Sequence, residues 1–373
     1  MASSRNKIFL YISDVASFIG QNHWDYVLPF ERLWKRVDAT GYTQALCFAQ
    51  KQIEHKQREL LDLEKERVVV NDDLACKRIT QRQHALTLKR LESAQKQIQQ
   101  HVENIQDKVD DIDLTQQQKL EKVIGKETVE KIQDVNIETK DKRKTIDNML
   151  DNLDVSDRQL ENLKKHAESF INKSHGTIKE DTAIGIYESK YKVKLDTSQQ
   201  FYKYNLESQS NGSCYNWFVC GKMDGIYKDE LHPECNYVAE VKNRTRGFFS
   251  TLRDYEKTQI QLYLLLTGFK QAKLVERYES NLRVTHIFRD DDYITSVLEY
   301  LTIFMQNFEN RFLDDEKAKQ DFVLSDPESK RVFLKRLYLN QINNRINQKL
   351  EAEYANSDTN PDQEDCMIDT DSL

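Results

Sequence analysis

Two short segments of the sequence combine acidic and basic side chains at a spacing that suits phosphate chemistry. Asp224 is followed by Gly225, which allows the chain to turn sharply after a predicted strand. Glu240 and Lys242 end the next predicted strand, and they point the same way because alternate residues of a strand share a face. If the two strands pair as a hairpin, Asp224 lies beside Glu240, while Val241 points to the opposite, apolar side.

Such a pair of carboxylates predicts a metal-assisted hydrolysis. Neighbouring carboxylates repel each other, and a divalent cation between them relieves the repulsion. Oxygen ligands favour Mg²⁺ or Mn²⁺ over zinc. Mg²⁺ keeps several waters, and one of them can become a nucleophile. The Lys242 ammonium can orient that water and neutralise charge on a phosphoryl group, which describes hydrolysis of a phosphodiester.

The surroundings of these residues distinguish that chemistry from an ordinary surface hairpin, in which Glu240 and Lys242 are exposed edge residues. Upstream, Glu180 begins a predicted helix before the first of the two strands. Downstream, Gln259 and Gln261 lie on the predicted helix after the second. The order GTxxE, GxxDG, ExK and QxQ resembles the PD-(D/E)XK nuclease superfamily, and within it lambda exonuclease and the YqaJ-type viral recombinases. The N-terminal segment ISDVASFIGQNHWD also resembles the leading helix of that family.

The resemblance covers about residues 8–38 and 170–280. It implies a restriction-endonuclease-like fold and a metal-dependent DNA exonuclease that uses Mg²⁺ or Mn²⁺. In the matching positions, Asp224 and Glu240 are expected to bind the metal with the help of the Val241 carbonyl.

The resemblance implies catalytic roles for three further positions. Lys242 is expected to position the attacking water. Glu180 is expected to support a second metal or an attacking water. Gln259 is expected to orient Lys242 or the scissile phosphate. Gln261 is the less favoured alternative, because the two glutamines are not on one helix face and at most one should reach the site.

The chain departs from the family pattern in two places. Asp181 stands where the family often has Pro, and Asn243 and Arg244 stand where Cys-Pro often follows the catalytic Lys. Neither place is expected to bind metal, so the departures bear on end preference and direction of digestion. The long helical insertion resembles the enlarged versions found in large DNA viruses. That likeness implies a role in viral DNA recombination, repair or replication inside an infected cell.

Basic residues beside the catalytic strand predict contacts with DNA phosphates. These residues are Arg244, Arg246, Arg253 and Lys257. Phe248 interleaves with them and is interpreted either as a stacking platform for a DNA end or as an anchor for the following helix, which is the role expected of Phe249. DNA, in particular a duplex end, is the expected partner. The basic residues of the last helix either extend this patch or, as the favoured alternative, form a solvated helix face. They are Lys330, Arg331, Lys335, Arg336 and Arg345.

A long stretch from about residue 45 to 166 has no Pro and is dense in Lys, Glu, Gln and Asp. Its apolar residues follow a spacing of three and four, which predicts a coiled coil. They are Leu60, Leu63, Val70, Leu74, Leu88, Leu91, Ile98, Val102, Ile105, Val109 and Ile112. Polar interruptions at Arg67, Lys77, Gln81 and His84 predict a shallow or bent seam. The seam closes either within the chain, as a hairpin turning near Asp110–Thr115, or between chains, by self-association or with a protein partner.

The rest of the chain has a globular composition. Strand-like runs are predicted at Tyr215–Cys220, Tyr237–Val241, Lys273–Tyr278 and Val284–Phe288, and helices at about Ser250–Leu266, Tyr293–Phe312 and Glu328–Leu350. This order predicts an α/β or α+β fold with a mixed sheet. The predicted division is 1–40 as the N-terminal segment of the nuclease domain, 41–166 as the helical insertion, 167–350 as the nuclease core with its C-terminal helices, and 351–373 as an acidic disordered tail. Residues 8–38 are too few to fold alone and are expected to pack against the later core.

Composition narrows the class of protein. The 373 residues include only 10 Gly and 4 Pro, and 31% are charged, which favours long exposed helices over a sandwich or barrel. The net charge of −7 is concentrated in the acidic tail, so the body is about neutral and a polyanion ligand is not excluded. The six cysteines form no CxxC pair, which predicts reduced thiols in a cytosolic or nuclear protein.

Several roles are predicted to be absent or purely structural. No apolar run approaches the ~20 residues that a membrane span needs. Trp24, Trp34 and Trp217 are expected in the core, and His175 is expected in a loop. Two other functions stay open: a structure-specific endonuclease of the same fold, and an inactive DNA-binding module on a coiled-coil interaction protein.

Overall fold

The computed structural model of the chain describes residues 6–110, 116–134, 137, 139–151, 157–206 and 213–357. The strands within these residues are β1 (Asn6–Tyr11), β2 (Tyr202–Asn205), β3 (Tyr215–Gly221), β4 (Gly225–Tyr227), β5 (Tyr237–Asn243), β6 (Gln271–Tyr278) and β7 (Asn281–Phe288). The helices are α1 (Ile12–Phe18), α2 (Val27–Val37), α3 (Ala39–Ala75), α4 (Gln81–Asp110), α5 (Gln116–Ile124), α6 (Lys126–Gln133), α7 (Thr139–Leu150), α8 (Asp157–Tyr191), α9 (Asp254–Thr267), α10 (Asp291–Phe308), α11 (Glu316–Leu324), α12 (Pro327–Leu334) and α13 (Asn340–Ser357).

The strands form two mixed sheets, in the orders β1-β3-β2 and β4-β5-β6-β7. In the first sheet β1 runs parallel to β3, with Ile8 paired to Trp217, and β2 runs antiparallel to β3. In the second sheet β5 and β6 are parallel and the outer strands are antiparallel to them. Parallel neighbours need a crossover connection, and α9 supplies it between β5 and β6. The fold is therefore mixed α+β, with two mixed sheets and a long helical region.

The N-terminal residues belong with the later part of the chain. Strand β1 completes the first sheet beside β3, and its buried Ile8 and Leu10 share one apolar core with residues of β3, α9 and α10. The expectation that residues 8–38 pack against the later globular part is confirmed.

Aromatic side chains in mutual contact fill the main core. Phe30 of α2 contacts Phe304, Phe308 and Phe312, with ring centroids 4.8–6.4 Å apart. Trp34 and Trp217 are fully buried, as expected. Trp24 is not: its side chain is 82% exposed, in the loop between α1 and α2. The expectation of three core tryptophans is therefore wrong for Trp24.

Helices α3 and α4 form an antiparallel hairpin that closes within the chain. The apolar seam lies between them, with Leu91 and Ile105 buried. The hairpin turns at residues 76–80 and not near Asp110–Thr115, of which 111–115 lie outside the described residues. The base of α3 is part of the main core, since Ile53 is fully buried there beside Ile105.

The turn at 76–80 has a local cause. Lys77 adopts a left-handed conformation, with φ of 59°, and ends α3. Thr80 and Gln83 then form a capping box at the start of α4: the Thr80 hydroxyl accepts from the Gln83 N–H at 3.2 Å, and the Gln83 side chain accepts from the Thr80 N–H at 3.0 Å. The polar residues that seemed to interrupt one long seam therefore mark the end of one helix and the start of another.

Helices α5 to α8 surround a small apolar core of their own. Its members are Leu120, Val129, Ile146, Leu150, Ala167, Phe170 and Ile171. Helix α8 then continues without a break across residue 166, the expected end of the insertion, and packs Ala183, Ile184 and Tyr187 against β5. We refer to residues 116–172 as the small helical unit. One continuous helix thus joins this unit to the second sheet.

The C-terminal helices are more broken than expected. Asp290 and Asp326 cap α10 and α12 through their side chains, and π-helical turns follow at Glu309–Leu313 and Lys335–Leu339. Helix α13 continues through Ser357, beyond the expected start of the acidic tail, and residues 358–373 lie outside the described part. None of the helices in the described part is both long and apolar enough to span a membrane.

Candidate active site

Asp224 lies opposite Glu240 because β4 and β5 form an antiparallel hairpin. Gly225 pairs with Ala239, so the residue before Gly225 faces the residue after Ala239. The backbone N–H of Val241 donates a hydrogen bond to Asp224 Oδ2 at 2.7 Å. The N–H and C=O of a strand residue point to the same side, so the Val241 carbonyl also faces Asp224. The adjacency expected from the sequence is present.

The glycine after Asp224 serves close packing and not a sharp turn. Gly225 has no positive φ. A Cβ at this position would lie 2.8 Å from Leu195 Cδ1, which is closer than packed carbon atoms approach. The bare backbone therefore lets Leu195 press against the start of β4, and this contact fixes the position of Asp224. The turn role expected for Gly225 is corrected.

Glu240 is a buried carboxylate, and only one of its two oxygens accepts a hydrogen bond from a described residue. Its residue is 1% exposed, and Oε1 accepts a hydrogen bond from Lys242 Nζ at 2.5 Å. Oε2 has no hydrogen-bond partner among the described residues. Burial, and after it the charge of Asp224, raises the pKa of Glu240 to about 8. A buried carboxylate oxygen without a partner is unfavourable unless a donor or a cation reaches it.

The Lys242 ammonium is held between two acceptors. It donates to Glu240 Oε1 and, at 3.4 Å, to Gln259 Oε1. Burial lowers the pKa of Lys242, but the negative charges of Glu240 and Asp224 raise it by more, and the net pKa is raised. Lys242 therefore stays protonated as a fixed positive charge beside the carboxylates.

Glu180 brings a third carboxylate from α8. Burial raises its pKa, and the charge of Asp224 raises it further, so the two side chains are close enough to interact. Among the residues that the structure describes, no three His, Cys, Asp or Glu side chains converge closely enough to form a complete metal cage. Glu180 therefore does not complete a cage with Asp224 and Glu240, and we refer to it as the outer carboxylate.

The inner pair fits a hydrated divalent cation. Mg²⁺ commonly binds through one or two carboxylates and keeps several of its waters, so a full protein cage is not needed. Asp224 and Glu240 offer oxygen ligands only, and one buried Glu240 oxygen has no partner among the described residues. Burial is the largest cause of the raised pKa of both carboxyl groups, and Lys242 compensates their charges only in part. A bound cation would supply that compensation.

Tyr263 orients the amide of Gln259, a contact that the sequence analysis missed. The Gln259 Nε2 donates to the Tyr263 hydroxyl at 3.1 Å, which leaves Oε1 facing Lys242. The ring of Tyr263 lies against Gly221, where a Cβ would be 3.0 Å from Cε1. The spacing of four residues from Gln259 to Tyr263 was a readable signal, because residues i and i+4 share a helix face.

Gln261 takes no part in the site. Its Nε2 donates to the Phe288 carbonyl at 2.7 Å, and its Oε1 accepts from the Asp290 N–H at 2.9 Å. These bonds fix the start of α10 against α9. Only Gln259 of the two glutamines reaches Lys242, in line with the helix geometry expected from the sequence.

Arg244 is committed to a buried ion-pair network. Its guanidinium bonds Glu256 at 2.7 Å and Glu276 at 2.7 Å, and both carboxylates are 1% exposed. Glu276 also pairs with Arg283. This placement corrects the expected phosphate contact, because the donors of Arg244 are already used by buried carboxylates. The network instead anchors the end of β5 to α9 and β6.

Two other basic residues are paired at the surface. Arg246 bonds Glu168 of α8 at 2.5 Å, and Lys257 bonds Asp290 at 3.3 Å. Surface ion pairs contribute little, so both cations can exchange these partners for phosphate. Their expected role in DNA binding stays a prediction.

Two basic side chains near the site, Arg253 and Lys222, are available to bind phosphate. Both are exposed, and neither forms an ion pair within the described part of the chain. The Arg253 guanidinium lies 4.5 Å from the centroid of Phe249, whose other neighbour is Arg244 at 4.2 Å. Lys222 lies between β3 and Asp224 and was not singled out from the sequence, although its position in GKMDG was visible.

Phe248 packs against the second sheet. Its ring meets Tyr278 edge-on at 6.1 Å, and the guanidinium of Arg283 lies over it at 4.8 Å. Of its two expected roles, the observed contacts match an anchor within the fold. A stacking role toward DNA stays a prediction.

No family model matches the chain, and no curated protein matches it. Parts of the chain are similar to two solved structures. The protein SSO0001 shares 18% sequence identity with a TM-score of 0.27, over 42% of this chain and 76% of that one. An alkaline exonuclease (LHK-Exo) from Laribacter hongkongensis shares 16% identity with a TM-score of 0.30, over 40% of this chain and 75% of that one. Both similarities cover less than half of this chain.

Proposed function

We propose that this chain is a metal-dependent DNA nuclease of restriction-endonuclease-like fold that hydrolyses phosphodiester bonds as an exonuclease. One observation carries the proposal. Asp224, the buried Glu240 and the protonated Lys242 meet at the end of one hairpin, and the second Glu240 oxygen has no hydrogen-bond partner among the described residues. A carboxylate pair beside a fixed ammonium suits a cation and a phosphate together.

Each residue has a distinct part in the proposed reaction. Asp224 and Glu240, with the Val241 carbonyl, would hold Mg²⁺ or Mn²⁺. The bound ion would polarise a phosphoryl oxygen and lower the pKa of a coordinated water. Lys242 orients the water and stabilises the negative charge that develops on the phosphoryl group. Glu180 holds a water or a second ion from the outer side.

The amide of Gln259 keeps Lys242 in place. Its Oε1 accepts from the Lys242 ammonium, and Tyr263 accepts from its Nε2, so the amide cannot turn without losing a bond. The ammonium is therefore positioned before substrate arrives, which is how such charges lower a barrier without reorganising.

DNA is the proposed substrate because open cations flank the carboxylates. Lys222 stands two residues before Asp224, and Arg253 stands at the start of α9. Lys and Arg side chains bind phosphates without regard to sequence, and such contacts hold a duplex in register. The choice of exonuclease over endonuclease rests on the resemblance of the motif order GTxxE, GxxDG, ExK and QxQ to lambda exonuclease, and duplex ends are the proposed target.

Incubation of the full chain with linear and circular DNA tests the proposal. End-labelled linear duplex and covalently closed circular duplex are each incubated with Mg²⁺, with Mn²⁺ and with a chelator. We expect mononucleotides or short products from the linear DNA only, and only when the metal is present. Nicking of the circle would instead show the structure-specific endonuclease. Inertness toward both, with retained DNA binding, would show the inactive binding module.

A further inference from the structure

Trp24 is an aromatic side chain that the fold leaves in solvent. It is 82% exposed, whereas the chain's other tryptophans, Trp34 and Trp217, are fully buried. A single exposed aliphatic side chain is unremarkable in a folded protein. An indole is different, because it has the largest apolar surface of any side chain and its exposure forgoes the most burial energy.

The backbone under Trp24 is tied down. Its N–H donates to Asn22 Oδ1 at 3.3 Å, and its carbonyl accepts from Arg331 at 2.8 Å. The Asn22 amide in turn donates to the Ser17 hydroxyl at 3.1 Å. Gln21 accepts from the hydroxyls of Thr258 and Tyr293. The indole is therefore presented on a fixed loop, and little conformational entropy is lost if it binds something.

The loop lies within reach of a DNA strand at the candidate site. Gln21 is bonded to Thr258, whose neighbour Gln259 bonds Lys242. Trp24 follows Gln21 by three Cα–Cα steps of about 3.8 Å each, and together with these hydrogen bonds they place Trp24 within about 30 Å of Lys242. A strand advancing 3.4 Å per nucleotide covers that distance in roughly nine nucleotides or fewer.

Charge and size around Trp24 favour a nucleic acid base over a protein surface. Its neighbours Asn22 and His23 are polar, and the carboxylate of Asp25, which follows it, accepts from the Leu28 N–H at 3.1 Å. Arg331 lies beside the loop, and the exposed Lys335 follows one helical turn after Arg331. Both side chains supply positive charge for phosphates. One aromatic ring with nearby cations is sufficient for stacking an unpaired base.

We propose that Trp24 stacks against an unpaired base of the DNA bound at the candidate active site, with Arg331 and Lys335 attracting the backbone of that strand. This inference rests on the proposed nuclease function. It adds a contact outside the catalytic residues and predicts that substrates with a single-stranded end bind more tightly than blunt duplexes.

The fluorescence of Trp24 gives a direct test, because the other two tryptophans are buried. The full chain is titrated with blunt duplex, duplex with a single-stranded end, and single-stranded oligonucleotide, with a chelator present so that nothing is cleaved. Binding is followed separately by anisotropy of labelled DNA. We expect DNA with unpaired bases to quench the exposed tryptophan emission and to protect it from acrylamide.

Three variants complete the test. Trp24→Ala should weaken binding of DNA with unpaired bases by about 5- to 150-fold, the range expected for one stacked base. Trp24→Phe should keep most of the affinity, since a smaller ring still stacks. Leu231→Ala is the matched control: Leu231 is 85% exposed in the turn between β4 and β5, at the end of β5 away from Glu240, and its loss should change nothing.

The outcomes separate this inference from the proposed function. If DNA binds and is cleaved with metal, but acrylamide quenching is unchanged in the complex and Trp24→Ala binds normally, the stacking inference is wrong and the nuclease proposal stands. If the exposed emission changes with protein concentration in the absence of DNA, Trp24 is covered by a second copy and the inference is also wrong. If the full chain neither binds nor cleaves DNA, both proposals fail.

Discussion

At the scale of single residues, the site depends on charges that are held apart from water. The Glu240 carboxylate and the Lys242 ammonium are 2.5 Å apart, and the Asp224 carboxylate is fixed by a backbone N–H. Partial burial makes each of these interactions stronger than it would be at the surface. Substitutions here should therefore change chemistry far more than they change folding.

Asp224→Asn should abolish metal-dependent cleavage while leaving DNA binding nearly unchanged. The amide has almost the same shape, so Val241 keeps a hydrogen-bond acceptor, but the charge that attracts the cation is lost. We expect a fall in rate of at least the order of 10²–10³, the usual cost of losing one such electrostatic group. Cleavage of end-labelled duplex and anisotropy of labelled DNA measure the two effects.

Two comparison variants make this result specific. Lys242→Ala should also lose cleavage but keep its affinity for Mn²⁺, because Lys242 acts on the water and not on the ion. Glu230→Gln removes an exposed carboxylate from the turn before β5 and should behave as wild type. Wild-type cleavage by Asp224→Asn would refute the site assignment.

Tyr263→Phe should lower the turnover number and spare substrate binding. The variant keeps the ring against Gly221 but removes the hydroxyl that accepts from Gln259. Loss of one hydrogen bond of about 0.5–1.5 kcal/mol predicts a fall in kcat of about 2- to 12-fold. A purely structural role would instead lower the stability and leave kcat per folded molecule unchanged.

Tyr187→Phe is the matched control for that measurement. The Tyr187 hydroxyl is also buried and bonds the Tyr237 hydroxyl at 2.9 Å, but it lies on the opposite face of β5 from Lys242. This variant should lose a similar amount of stability with no change in kcat. Equal kcat for Tyr263→Phe and wild type would remove Tyr263 from the positioning role.

At the scale of helices and strands, local sequence patterns were readable from the sequence, and features set by one tertiary contact were not. The strands around Trp217 and Glu240 were predicted because Tyr215–Cys220 and Tyr237–Val241 are short, mostly apolar runs. The hairpin turn was misplaced because Thr80 and Gln83, which cap α4, look in the sequence like two ordinary polar residues within a long apolar seam. The pairing of Arg244 with Glu256 and Glu276 joins residues 12 and 32 positions apart, and no local pattern shows it. Exposure of Trp24 depends on loop contacts with α9, α10 and α12, which are equally invisible in the sequence.

The start of α3 offers a test of stability against pH. The Asp38 carboxylate accepts from the Gly41 N–H at 2.8 Å and pairs with the Lys319 ammonium at 3.0 Å. Burial raises the pKa of Asp38, but these two partners lower it by more, and the net value falls below the ordinary 3.8. A lowered folded-state pKa means that the stabilisation is present above pH ~4 and is lost as the pH falls through the folded-state value.

Two substitutions separate the parts of this contact. Asp38→Asn keeps the cap acceptor and loses the ion pair, whereas Asp38→Ala loses both and should cost about 1–2 kcal/mol at pH ~7. The cost of each should be smaller near pH ~3. Urea unfolding at the two pH values measures this, and an equal cost at both would show that the Asp38 charge contributes nothing.

At the scale of the whole molecule, one apolar core joins both sheets to the N-terminal helices, and the hairpin of α3 and α4 extends from it. Among the described residues, Ile53 of α3 and Ile105 of α4 belong to that core and mark the base of the hairpin. Its role in binding a protein partner stays a prediction.

Replacing residues 58–100 by a short Gly/Ser linker should leave cleavage of short DNA intact. The cut ends lie beside each other because α3 and α4 are antiparallel, so a few flexible residues span them. Activity per folded molecule and the melting temperature are the measurements. A variant that melts normally but has lost metal-dependent cleavage would show that the outer hairpin takes part in catalysis.

Helix α8 is continuous, and its two halves pack in different apolar cores, that of the small helical unit and that beside β5. Phe170 of α8 is buried in the small helical unit. Glu180 lies ten residues later on the same uninterrupted helix and is close enough to Asp224 for their charges to interact. At 1.5 Å per residue the two lie about 15 Å apart, so a tilt of the unit by ~5° displaces Glu180 by roughly 1 Å. Glu168 of the same unit also forms an ion pair with Arg246 in the loop after β5. A ligand that reorients the small helical unit would thereby move the Glu180 carboxylate. The rate of cleavage would then change although the ligand does not contact the scissile phosphate.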